Sequence, residues 1–342
     1  MRILKAIRIG IAVMLLGGCM SEPEPLCPRL TFLQFYQTQL GVSSPDYAEE
    51  LFRKTRSLGF KTVILQWSSY DDVSFYESSG SKETVDAKLK QMIQAGCRSG
   101  IKFWLGLHHD SHFWEQAAAS PDEVKVYLDK RLLDLQLRLP ALLALLRQIN
   151  VPDDCIHGWY ISDEIDDMTW SGDKQKKISD YLGKTSKLLR EVRPDWLIAI
   201  SGFTNQAKSP DGYARFWDEL LNDAQIDYLF FQDGIGAGKL TLQAAELYIS
   251  ALATMARRRP YSVVVVLELF DMQLRDGKTQ YAAANQNRVR RQLRLTEKAT
   301  GGGHQTAVFA ASPYLLQEDM PGSLALAKFW RQRVIPACAR NP

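Results

Sequence analysis

Apolar and polar positions along the chain alternate between two regimes. Short β-branched or aromatic runs occur at Leu30–Phe35, Thr62–Trp67, Ile101–Leu107, Ile156–Ile161, Leu197–Ser201, Tyr228–Gln232, Ser262–Leu267 and Thr306–Ala310. Each reads as a strand buried on both faces. Between and after them lie stretches with helical periodicity, near 46–58, 82–97, 121–149, 173–193, 213–222, 240–258, 279–299 and 322–335. Ser44-Pro45-Asp46 and Ser120-Pro121-Asp122-Glu123 carry helix-start chemistry, and Gly59 follows the first helix. Eight strand–helix units over about 300 residues predict an α/β fold, a single (β/α)8 TIM barrel spanning residues 29–342. A doubly wound sheet is the competing arrangement. No GxGxxG motif follows the first strand and no P-loop is present, so that alternative lacks its usual ligand.

The first residues follow another pattern. A basic start with Arg2, Lys5 and Arg8 precedes an uncharged apolar run from Ile9 to Gly18, the arrangement of a secretory signal peptide over residues 1–18. The run is too short to span a bilayer comfortably. Leu16-Gly17-Gly18-Cys19 resembles the bacterial lipobox. That resemblance implies lipid transfer to Cys19, cleavage before it, and a Pro- and Glu-rich tether over residues 19–28. The expected location is the cell envelope, lipid-anchored at the outer membrane and facing the periplasm.

Export changes the reading of the cysteines and of the charge. Cys27, Cys97, Cys155 and Cys338 then lie in an oxidising compartment, without the spacing of a zinc cluster. In a barrel, Cys27 before strand one and Cys338 after helix eight become neighbours at the bottom. Cys97 ends helix two and Cys155 precedes strand four on the same side. The expected pairs are Cys27–Cys338 and Cys97–Cys155. Without Arg2, Lys5 and Arg8 the 42 basic residues fall to 39, equal to the 39 acidic ones. A neutral mature chain gives no support to a nucleic-acid partner, and the membrane is expected only through the lipid on Cys19.

Candidate chemistry lies at the carboxyl ends of the strands, which a barrel gathers at one rim. Polar or aromatic residues there are Gln34 and Tyr36, Gln66 and Trp67, His108 and His109, Asp163 and Glu164, Gln232 and Asp233, then Glu268 and Phe270. Glu164 and Glu268 end strands four and seven, on opposite sides of the mouth. Two carboxyl groups flanking one bond are what glycoside cleavage requires. The segments Gly158-Trp159-Tyr160-Ile161-Ser162-Asp163-Glu164 and Val263-Val264-Val265-Val266-Leu267-Glu268-Leu269-Phe270 resemble those of clan A glycoside hydrolases. The resemblance implies a retaining mechanism with Glu164 as acid/base and Glu268 as nucleophile. That clan has Asn before the acid/base, where this chain has Asp163, whose charge would raise the pKa of Glu164.

Phe32-Leu33-Gln34-Phe35, Gly59-Phe60, Val63-Ile64-Leu65-Gln66-Trp67 and Phe231-Gln232-Asp233-Gly234-Ile235-Gly236 resemble family 4434 of domains of unknown function, viewed as a glycoside-hydrolase-like barrel. The expected ligand is an oligo- or polysaccharide, held by Gln34, Tyr36, Gln66, Trp67, His108, His109, Asp163, Gln232, Asp233 and Phe270. Trp67 is the rim aromatic expected to stack on a sugar. No metal or other cofactor is expected, since no HxxxH or HExxH spacing supports the histidines. A non-catalytic polysaccharide-binding lipoprotein on the same barrel is the alternative.

Overall fold

A computed structural model describes residues 27–34, 45–76, 88–275, 277–302 and 305–340. Eight parallel strands close into a barrel: β1 (Leu30–Leu33), β2 (Thr62–Leu65), β3 (Lys102–Gly106), β4 (Ile156–Asp166), β5 (Leu197–Phe203), β6 (Tyr228–Gln232), β7 (Ser262–Glu268) and β8 (Thr306–Phe309). Closure is made by β1 on β8, with Leu30 opposite Ala307. The doubly wound alternative is thereby excluded.

Alternation along the strands divides the apolar residues into two cores. Phe32, Ile64, Trp104, Tyr160, Phe230 and Val266 belong to the set that fills the lumen. Their rings lock edge to face, Phe32 lying 5.6 Å from Tyr160 and 5.9 Å from Phe230. The lumen is therefore a packed plug, and open chemistry is confined to the mouth above it. Residues of the opposite phase, such as Val63, Phe103 and Ile198, pack under the helices.

Seven helices follow strands much as their periodicity predicts: α1 (Pro45–Ser57), α2 (Lys88–Arg98), α3 (Pro121–Gln148), α4 (Asp173–Val192), α5 (Pro210–Leu220), α6 (Leu242–Ala256) and α7 (Gln286–Thr300). α3 opens with a capping box, Ser120 and Glu123 each bonding the other's backbone N–H. The eighth helical stretch is Ser323–Phe329, a π-helical turn over Trp330–Val334, then Ile335–Arg340. Among the described residues no helix is long and apolar enough to cross a membrane.

Two expectations change. The helix expected from 279 starts at Gln286, because Phe270–Arg275 and Lys278–Ala283 form an antiparallel hairpin. Asp276-Gly277 is a two-residue turn signal, and alternating Thr279 and Tyr281 suit a strand better than a helix. β4 runs five residues past the Ile161 expected from the apolar run, to Asp166, so that Asp163 and Glu164 lie within the strand. The helix expected over 82–97 is present from Lys88 to Arg98, and residues 82–87 lie outside those described.

The bottom of the barrel is cross-linked. Cys27 bonds Cys338 with a Cα–Cα distance of 4.9 Å, and Cys97 bonds Cys155 at 5.9 Å. The first bridge spans 311 residues and sits beside a hydrogen bond from Arg29 to the Cys338 carbonyl. Replacing Cys27 and Cys338 by Ser should cost about 2–4 kcal/mol, chiefly by freeing the unfolded chain. Denaturant titration checks this; a midpoint equal to that of the parent would show that the bridge contributes nothing.

Candidate active site

The alternation that packs the lumen also decides which strand-end side chains reach the mouth. Gln34 follows Phe32 by two residues, Gln66 follows Ile64, Gln232 follows Phe230, and Glu268 follows Val266. Each continues the inward phase of its strand. Glu164 reaches the mouth by another route. Ser162 and Asp163 are extra residues in β4, since Ile161 pairs with Ile200 and Glu164 with the next residue, Ser201. The Ser162 hydroxyl donates to the carbonyls of Gln66 (2.8 Å) and Leu107 (3.1 Å), fastening the bulge to the ends of the neighbouring strands.

Asp163 turns the other way. It is 2% exposed, accepts from Arg131 of α3 (2.8 Å) and from the Tyr181 hydroxyl of α4 (2.8 Å), and faces the helix layer. The expectation that it binds substrate is corrected, and so is its expected effect on Glu164. Burial is what raises the Glu164 pKa, opposed by the Gln232 amide and the Lys239 ammonium. Gln232 Nε2 donates to Glu164 Oε1 at 2.7 Å, a bond that spans the mouth from β6 to β4.

Glu268 is held from the β6 side. The Ala237 N–H donates to its Oε2 at 2.7 Å. Gly236 lets that loop approach: a Cβ there would lie 2.1 Å from the Phe270 carbonyl and 2.9 Å from Glu268 Cβ. Asp233 stands behind, 1% exposed, accepting from Gln292 of α7 (2.6 Å) and from the Glu268 N–H (3.3 Å). It too faces away from the mouth, so its expected sugar contact is replaced by a supporting role. Burial, and then the adjacent Asp233, push the Glu268 carboxyl up to about 8. Burial likewise raises Asp233.

The remaining expected contacts divide. Gln66 is buried with its Oε1 unpartnered among the described residues. Trp67 is only 2% exposed, stacked on His109 at 4.8 Å and packed edge-on to Tyr70, so it is no open platform. Its odd phase relative to Ile64 turns it outward. His108 also faces outward, 3.1 Å from the Ser69 hydroxyl, and burial with the Arg131 charge lowers its pKa to about 4. The expected sugar contacts of Trp67, His108 and His109 are thus corrected to packing in the wall beside the mouth. Phe270 is 8% exposed and packs between Tyr281 and Tyr314, each 5.6 Å away. Tyr36 lies outside the described residues.

Three contributors were missed. Arg131 sits on the apolar stripe of α3 with Val124, Leu128 and Leu135, and Gln292 sits on that of α7 with Val289 and Leu293. A polar residue on a buried helix face is a readable sign that a partner waits beneath it. Lys239, in the loop after β6, carries no such sign.

Residues 31–325 match the family described as "Domain of unknown function (DUF4434)". The chain is 32% identical over 223 residues to the uncharacterized protein YbcH of Escherichia coli K12, covering 64% of this chain and 69% of that one. In structure it resembles a putative alpha-L-fucosidase from Bacteroides thetaiotaomicron, with a TM-score of 0.69, 17% identity, and 98% and 99% of the two chains covered. A GH18 chitinase from Pseudoalteromonas aurantia superposes with a TM-score of 0.51 at 11% identity over 91% and 99%. At these identities the likeness is one of fold.

The electrostatics of Glu268 have a measurable consequence. A carboxyl whose pKa is raised on folding stabilises the folded state fully below its unfolded value, near 4.5, and loses that contribution as pH rises through about 8. Glu268→Gln removes the titration. The variant should gain stability relative to the parent progressively from pH 5 to pH 8, by denaturant titration at each pH. A constant difference across that range would contradict the buried, proton-retaining Glu268.

Proposed function

The chain belongs to the DUF4434 family, and we propose that its barrel mouth cleaves glycosidic bonds with retention, Glu164 acting as acid/base and Glu268 as nucleophile. The observation that carries this reading is the pair of glutamates at the ends of β4 and β7, Glu164 held by Gln232 and Glu268 by the Ala237 amide, above a lumen closed by packed side chains. The glycoside-hydrolase-like barrel fits it.

In the first step a Glu268 oxygen attacks the anomeric carbon, and Glu164 gives its proton to the departing glycosidic oxygen. A glycosyl ester on Glu268 and a free alcohol result. Glu164, now ionised, takes a proton from water, whose oxygen displaces Glu268 and leaves a hemiacetal. Burial raises the Glu164 pKa, the direction a general acid requires. Glu268 must shed its own, so activity should climb as pH rises toward about 8. The amide of Ala237 supports the ionised form.

A specific feature favours the second reading, a non-catalytic polysaccharide-binding site. Glu268 is 5% exposed and already tied to a backbone amide, as a fixed acceptor would be. Digestion of a glycan panel separates the two. Under the hydrolase reading the parent releases new reducing ends, Glu268→Gln abolishes release, and Glu164→Gln lowers it by about 10²–10⁴-fold on natural linkages but far less on activated aryl glycosides. Binding without release of reducing ends from any glycan would leave the second reading.

We infer also that the chain is exported and lipid-anchored through Cys19 at the periplasmic face of the outer membrane. Two disulfides suit an oxidising compartment. Cys19→Ser should leave an unprocessed, lipid-free precursor; a normally sized product would point to cleavage by an ordinary signal peptidase.

A further inference from the structure

Beside Glu164 the mouth holds a cation fixed in place. Lys239 is half-buried at the end of the loop that follows β6. The loop is folded back by Gly234, at φ +63°, whose carbonyl accepts from the N–H groups of Lys239 (2.8 Å) and Leu240 (3.1 Å). Gln206 donates to the Lys239 carbonyl at 2.8 Å. The ammonium donates to Asn205 Oδ1 at 2.6 Å and lies 4.3 Å from the centre of the Phe203 ring. Asn205 is itself held through its N–H by the buried carboxylate of Asp167, which also accepts from Thr204 and from the Lys208 N–H. Each partner of the ammonium is thus immobilised before any ligand arrives.

Those partners are an amide oxygen and a ring. Among the described residues no carboxylate lies within ion-pair distance of Lys239 Nζ. An ammonium has three donors, and Asn205 takes one. The loop that carries Lys239 also carries Ala237, whose amide holds Glu268, and the ammonium acts on the charge of Glu164. The same Phe203 ring lies 5.5 Å from that of Trp114, which is 37% exposed. An exposed indole offers a flat face to the C–H face of a sugar ring.

We propose that Lys239 and Trp114 form a subsite for a sugar bearing a carboxylate, so that the polymer this mouth takes is acidic and uronate-containing. The proposal rests on the carbohydrate-active reading of the same mouth and narrows its substrate class. Lys239 supplies the countercharge that lets an anionic ring enter beside Glu164 and Glu268, and Trp114 supplies the surface on which that ring lies.

Affinity electrophoresis tests it with polygalacturonate, alginate and glucuronoxylan as acidic probes, and mixed-linkage glucan, arabinan and galactomannan as neutral ones. The proteins are the parent, Lys239→Met, which keeps the aliphatic stem against Phe203, and Lys239→Arg. Thermal unfolding shows that each is folded. The parent should bind at least one acidic polymer more tightly than every neutral one. Lys239→Met should weaken that binding by about tenfold, the loss of one charge-assisted hydrogen bond, and Lys239→Arg should restore most of it. Preference for a neutral polymer, binding to none of the probes, or acidic binding unmoved by Lys239→Met would overturn the proposal. Its failure is separable from that of the hydrolase reading. Lys239-dependent binding of a uronate polymer that is never cut keeps the subsite and removes the hydrolysis. Cleavage of a neutral polymer by a parent protein that binds none of the acidic probes does the reverse.

Discussion

The buried ion pair between Asp163 and Arg131 decides where Glu164 points. β4 carries two residues more than its neighbour can pair, and the surplus must go somewhere. Arg131 and Tyr181 draw the Asp163 carboxylate out into the helix layer, and Ser162 pins the bulge to the carbonyls of Gln66 and Leu107. Glu164 is then opposite Ser201 and facing the mouth. Arg131 is 8% exposed and Asp163 2%, so neither can turn to water if its partner is lost. Removing one partner of such a pair costs about 3–5 kcal/mol. The position of a mouth residue therefore depends on a charge in the third helix.

Both mouth glutamates have a second acid at their backs, and the two cases differ in what meets that acid. Asp163 faces the guanidinium of Arg131 and has no marked effect on Glu164, whose raised pKa comes from burial. Asp233 faces the neutral amide of Gln292, so its charge bears on Glu268 and adds to the upward shift that burial begins. One arrangement thus gives a carboxyl raised by solvent exclusion and moderated by Gln232 and Lys239. The other gives a pair in which ionising one member opposes ionising the next. Gly236 completes the second arrangement by letting a backbone amide loop come within hydrogen-bond distance of Glu268.

The barrel was legible because eight apolar runs separated by helical patterns admit few other closures. The rim was legible because polarity collects at the strand ends. Facing is encoded in the period-two alternation. Gln66 and Trp67 are neighbours in sequence, yet Gln66 continues the phase of Ile64 and Trp67 falls out of it, into packing with His109. Gln232 and Asp233 divide the same way. The bulge in β4 was beyond such counting, since its cause lies in Arg131, 32 residues away. The hairpin after β7 is marked by Asp276-Gly277, and its second strand alternates at Thr279 and Tyr281 within a stretch that also fits helical period. The setting of Lys239, built from Asn205, Gln206 and Phe203, is a product of loop geometry that no local pattern announces.

The central claim is that Glu268 forms a covalent bond to sugar while Glu164 handles the proton. Incubation with a panel of 2-deoxy-2-fluoro glycosides carrying good leaving groups slows turnover of any such ester, and peptide mapping by mass spectrometry locates it. The account predicts a fluoroglycosyl adduct on the peptide containing Glu268, absent from Glu268→Gln and retained in Glu164→Gln. An adduct on Glu164 or on another carboxylate, or none with a glycoside that the protein demonstrably cleaves, would contradict it.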